Sequence, residues 1–144
     1  VALAVIVTGA LRSDTPQTRS KGLPSVALYV EHRGDVRVWN GHSPIAAGDR
    51  LQLKIRSSGY KHALVGSEED AGLKVIHSEV LSPSGETTLS RSFLVDAASD
   101  RVVIHLLLCD TTCSEGALKS AAKQSLRDEH QWWTRLVLVR KDAP

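Results

Sequence analysis

Cys109 and Cys113 are the only cysteines in the chain, and their type and spacing point most directly to chemistry. Asp110-Thr111-Thr112 separates them, where an apolar run ending at Leu108 gives way to a helix-forming segment. Across a bend of that length, two Cα atoms approach within the roughly 4.4–6.8 Å that a disulfide needs. Such a bridge closes a short loop and stabilises by about 2 kcal/mol on the loop-entropy model. Three other uses of the pair stay open on sequence alone. A redox-active or catalytic dithiol would exploit a helix N-terminus, although thioredoxin-type chemistry spaces its cysteines as Cys-x-x-Cys. A metal site would add His105, which makes three ligands where structural zinc takes four. Two free, half-buried thiols are the last. The disulfide is the expectation carried forward.

Six histidines, His32, His42, His62, His77, His105 and His130, are scattered singly. A serine nucleophile needs a histidine, an acid and an oxyanion hole, often on a Gly-x-Ser-x-Gly elbow, and the chain has no such elbow. His105 sits in an apolar strand and reads as a core or interface residue with both ring nitrogens satisfied. Glu68-Glu69-Asp70 lacks the alternating ligand spacing of a calcium loop and reads as a solvated turn. No glycine-rich phosphate loop occurs. The chain is therefore read as a non-enzyme, with no catalytic residue, metal ligand set or cofactor. Its candidate binding surface is Lys54, Arg56 and Lys61 together with Trp39 and Trp132. Adjacent strand residues face opposite ways, so at most one of Trp132 and Trp133 is expected at the surface.

The elements that must position these residues follow from pattern. Leu51, Leu53 and Ile55 alternate with Gln52, Lys54 and Arg56 after a Gly48-Asp49 turn, which predicts a half-buried strand over 50–57. Val26, Leu28 and Val30 predict another over 25–32, turning at Arg33-Gly34 into Val36 to Trp39. Further strands are expected at 60–66, 73–77 and 87–95, the last the least regular. Val102 to Leu108 is apolar on both faces and predicts a central strand covered on both sides. Leu118, Ala121, Ala122, Ser125, Leu126 and Trp133 recur at helical spacing, predicting a helix over 114–130 with Thr112 and Glu115 as its capping box. A last strand is expected over 134–140. Short strands separated by turn signals predict a mainly β fold, a β-sandwich, immunoglobulin-like or related, with one helix inserted before the last strand.

Length and composition agree with one domain. At 144 residues, with 42% hydrophobic and 24% charged residues, the chain has the make-up of a folded soluble domain. Phe93 is the only phenylalanine, so the core must be aliphatic. A net charge of +2, with basic residues alternating along strands, is too small to imply a nucleic-acid partner, and none is expected. The first eleven residues, Val1 to Leu11, are apolar and uncharged, too short to span a membrane alone. They are expected to be the end of a membrane or signal segment, or else a buried first element. Residues 12–24 read as a linker, 25–140 as the sandwich and 141–144 as a fraying tail.

Gly48-Asp-Arg-Leu-Gln-Leu-Lys-Ile-Arg-Ser57, Gly59-Tyr-Lys-His-Ala-Leu-Val65, Asp70-Ala-Gly-Leu-Lys-Val75 and Phe93-Leu-Val-Asp96 together resemble a domain of unknown function of bacterial cell-envelope proteins. In myxobacterial-type proteins that domain often follows a single membrane helix, sometimes behind a cytoplasmic zinc-binding module resembling anti-sigma factors. The chain departs from the family pattern at Val75-Ile-His-Ser-Glu79, and the family carries no catalytic residues to transfer. The resemblance implies an extracytoplasmic, periplasmic sensing or protein-interaction domain, tethered to the inner membrane through its N-terminal segment. Its partner would be a protein or a small envelope ligand. A purely structural envelope module is the rival that needs no ligand.

Overall fold

Two antiparallel sheets stack face to face, and one helix packs on the outer face of the second. The computed structural model describes residues 23–82, 85–98 and 100–141. The expected apolar segment at 1–11, most of the 12–24 linker and the tail beyond 141 lie outside the described residues. The first sheet runs in the order β2 (Asp35–Val38), β1 (Ser25–His32), β3 (Arg50–Arg56), β6 (Glu86–Thr88), with β7 (Phe93–Leu94) also paired to β3. The second runs β5 (Gly72–Val80), β4 (His62–Glu69), β8 (Arg101–Cys109), β9 (Gln131–Val139), and helix α1 (Glu115–Gln124) connects its last two strands. The fold is the expected β-sandwich with a helix before the last strand.

Alternation does the work. Leu51, Leu53 and Ile55 on β3 and Val26, Leu28 and Val30 on β1 all point into the space between the sheets and are almost fully buried. Burying each such side chain contributes roughly 1.5–3 kcal/mol. From the second sheet Val65, Ile104, Leu106, Leu108, Leu136 and Leu138 close the same core. The other face of this sheet supplies Leu64, Leu107 and Cys109, which Leu118 and Ala121 of α1 cover. β8 is thus covered on both sides, as its unbroken apolar run predicts.

Gly66 makes the helix fit. It lies at the irregularity where β4 and β5 shift register, and a Cβ there would stand 2.7 Å from Leu118 Cδ2 and 3.1 Å from Leu73 Cδ1. Leu118 is fully buried and has nowhere to retreat. Gly66→Ala is expected to lower stability by about 2 kcal/mol through overpacking. Urea denaturation checks this, and an unchanged midpoint would mean that α1 does not press on this strand.

Several boundaries differ from the sequence reading. The helix ends six residues before the expected His130, because Ser125 takes a left-handed conformation (φ 52°) and Asp128 Oδ1 then accepts the N–H groups of His130 and Gln131 in a turn. Its N-cap is Ser114, whose Oγ accepts the Ala117 N–H at 3.1 Å, and not Thr112. The backbone is still held outside the helix at Cys113, whose N–H goes to His62. β4 and β5 are longer than expected, leaving only Asp70 and Ala71 between them. The expected 87–95 strand is two short pieces, β6 and β7, separated by buried Leu89. β9 starts at Gln131, which takes both Trp132 and Trp133 into the sheet.

Candidate functional site

The sulfurs of Cys109 and Cys113 are joined in a disulfide, with Cα atoms 5.6 Å apart. The bridge links the end of β8 to the residue before the helix N-cap, so it fixes where α1 begins. Both half-cystines are buried beside Leu64, Leu107 and Leu118. The bond corrects two of the alternatives: neither free thiols nor thiolate ligands for a His105 metal site remain.

His105 is buried and hydrogen-bonded at both ring nitrogens. Its Nδ1 is 3.0 Å from Trp133 Nε1, and its Nε2 is 2.7 Å from Glu68 Oε2. An indole N–H can only donate, so Nδ1 is the acceptor and the ring proton sits on Nε2, donated to the carboxylate. No lone pair is left for general-base work. His105 is a positioning residue that ties β4, β8 and β9 together, as its place in an apolar strand predicts.

Two further histidines hold the disulfide loop from either side. His62 accepts the Cys113 N–H on Nδ1 at 2.8 Å, and its Nε2 meets Ser78 Oγ at 2.9 Å. Burial holds the His62 pKa below the ordinary 6.5. His130 Nδ1 lies 2.8 Å from an Asp110 carboxylate oxygen inside the loop, and that hydrogen bond lifts the exposed ring above 6.5. The two act in opposite directions on stability. What His62 contributes is complete above pH 6.5 and is lost as pH falls through its lowered folded value. What His130 contributes is present below pH 6.5 and is lost as pH rises through its raised folded value. A two-dimensional NMR titration is expected to give a His62 midpoint below 6.5 and a His130 midpoint above it. Coincident midpoints would rule out these contacts in solution.

The residues expected as a binding surface are not brought together on one face. Lys54 and Arg56 share the outer face of β3, but both pair with Glu86 of β6, at 3.1 and 3.7 Å. The hydrogen bond to Glu86 also raises the Lys54 pKa. Lys61 belongs to the entry into the second sheet, where its backbone joins Cys109 and Leu81. Trp39 and Trp132 are only 4% and 3% exposed. Trp39 donates Nε1–H to the Ser43 carbonyl at 2.9 Å, closing its own loop. Trp132 fills the inter-sheet core beneath the Arg127 guanidinium, which stands 4.6 Å from its ring centroid. The expectation that one neighbour of the pair is buried holds, with the sides exchanged: Trp133 is the half-buried one.

Concave surface lies elsewhere. A cleft of about 560 Å³ opens between the sheets where β7 ends, between that strand and the β4–β5 hairpin, reaching β8. Its floor includes Leu51, Ile76, Phe93, Val102 and Ile104, and its rim carries Glu68, Glu69, Lys74, Arg91, Asp96 and Arg101. A second cleft, of about 570 Å³, lies under α1 between Lys119, Lys123, Arg135 and the same two glutamates, with His105 at its base. The only sequence signal for the first was the irregular pattern of residues 87–95, which marks a sheet edge too short to cover its partner. Comparison with protein-family models, curated proteins and solved structures found no match to this chain.

Proposed function

We propose that the chain is an extracytoplasmic sensing or protein-interaction domain that acts by binding. The Cys109–Cys113 disulfide carries this reading, because such bonds persist in oxidising compartments and are rare in the cytosol. The burial of both half-cystines favours a structural bond over one that turns over, since thiol–disulfide exchange needs access to sulfur. His105, which lines the cleft under α1, is committed on both nitrogens to Trp133 and Glu68. A domain with concave clefts and a rigid two-layer core responds to a partner through differential affinity between its states. Tethered through the segment preceding residue 23, as the envelope-domain resemblance implies, it would pass that state to a membrane-embedded or cytoplasmic portion of an anti-sigma-factor-like regulator.

Acid-quenched cells producing the full-length protein test the reading. Alkylation before and after reduction, read by mass spectrometry, is expected to leave both cysteines unlabelled until reductant is added. Labelling of both without reductant would place the domain in a reducing compartment and overturn the proposal.

A further inference from the structure

We infer that β5 is a dimerisation edge, pairing antiparallel with β5 of a second copy so that two four-stranded sheets join into one. This rests on the reading of the chain as a protein-interaction domain and names the partner. β5 ends its sheet on one side and runs nine residues, Gly72–Val80, without a proline. Among the described residues, no hydrogen bond reaches its outer edge. The register shows which groups that edge presents. The Leu81 N–H goes to the Lys61 carbonyl, so His77 and Glu79 turn their backbone groups toward β4, and Ser78 and Val80 turn theirs away. Beyond the irregularity at Val65/Gly66 the order is displaced by one residue, and Leu73 and Val75 face outward.

Only one antiparallel register pairs all four outward residues with one another: Leu73 opposite Val80 of the second copy, and Val75 opposite its Ser78. The two-fold axis repeats each pair. The same register sets Lys74 opposite Glu79 twice, in the pairs without hydrogen bonds, where side chains stand closest. Both lie on the face toward the first sheet: Lys74 is opposite Ser67 and Glu79 opposite Ala63, whose β8 partners Ile104 and Leu108 belong to the inter-sheet core. Lys74 has no ion pair among the described residues. The bonds that Glu79 makes with His77 and Ser90 all fall on Oε1, which leaves Oε2 to receive the lysine. Val80, 76% exposed, gains Leu73 as its neighbour. A charge on the inward face of an edge strand ordinarily deters pairing. Here it selects the register, because a slip of two residues sets Lys74 against His77 or Leu81 and leaves Glu79 unmatched.

Analytical ultracentrifugation of the full chain over a concentration series tests this. A micromolar monomer–dimer equilibrium is expected, since one strand edge buries less than the roughly 1,200–2,000 Å² of a tight interface. K74E, at an exposed position, should weaken the dimer by about tenfold by setting like charges opposite each other twice, and K74E/E79K should restore it. V80P removes an outward N–H without touching the ladder to β4 and should weaken the dimer as well. A mixed-label NMR sample should show intermolecular contacts between the Hα atoms of Lys74 and Glu79, a readout that stands even where the charge swap unfolds the chain. A chain that stays monomeric at millimolar concentration, a dimer indifferent to K74E and V80P, or intermolecular contacts confined to other surfaces would each overturn the inference. Binding of a foreign extended peptide along β5 by a chain that never dimerises would do the same. Compartment trapping of the cysteines is blind to oligomeric state, so failure here and failure of the extracytoplasmic reading are separable.

Discussion

Trp132→Ala is expected to destabilise the domain by about 4 kcal/mol. Trp132 is 3% exposed on β9, opposite Leu108 of β8, and fills the inter-sheet core near the end of the sandwich where β9 begins. Truncation removes a large buried apolar area and leaves a cavity that the two sheets cannot close without moving apart. It also removes the face on which Arg127 rests, and Arg127 holds the helix-to-strand connection through its Nε–H to the Trp133 carbonyl at 2.8 Å. Urea denaturation followed by far-UV circular dichroism measures the loss. A surface aromatic at this position would lose well under 1 kcal/mol on truncation. A small shift would therefore restore Trp132 to the binding face and refute its burial.

Asp49→Ala should cost about 3 kcal/mol through the hydrogen bonds that its buried carboxylate accepts. Its carboxylate is 2% exposed and accepts the Ala46 N–H at 2.9 Å and the His32 Nδ1–H at 2.5 Å. Around it, Gly48 N–H reaches the Val95 carbonyl at 3.0 Å, and Val95 N–H reaches the Asp49 carbonyl at 2.8 Å. Ile45, at the start of the same turn, bonds both Val139 and Lys141. The turn therefore fastens the first sheet to the last strand of the second. Gly48 adopts φ +90°, a conformation that a side chain would strain, so glycine is needed immediately before the acid. Loss of the carboxylate leaves a buried N–H without its acceptor, whereas Asp49→Asn keeps one acceptor oxygen and should cost about 1 kcal/mol. Asp35→Ala, at an exposed position on β2, should stay within about 0.5 kcal/mol in the same denaturation series. If Asp49→Ala behaved like that control, the Gly-Asp turn would be a surface feature and not a fastening.

The Gly-Asp turn shows how a motif can be legible and its purpose hidden. Its place before the alternating strand is visible in the chain, but its bonds run to Val95 and His32, which no local pattern connects to it. The same division separates the cysteines from the clefts. Cys109 and Cys113 lie close enough in sequence that a bend alone brings their Cα atoms to 5.6 Å, so the disulfide could be expected from spacing. The rim cations Lys74, Arg91 and Arg101 come from three separate strands or loops, and only the stacking of two sheets brings them around one opening.

Local apolar patterning by itself determined most of the strands through period-2 alternation, the doubly covered β8 through an unbroken apolar run, and the helix before the last strand through three- and four-residue spacing. It did so because burial of one face is decided residue by residue along a strand. Tertiary structure alone decided that Trp132 and not Trp133 is buried, that Lys54 and Arg56 are spent on Glu86, and that the concave surface lies where β7 stops short. Those outcomes depend on register and on which distant segment lies opposite. A shift of one residue in either exchanges the face that meets solvent for the face that meets the core.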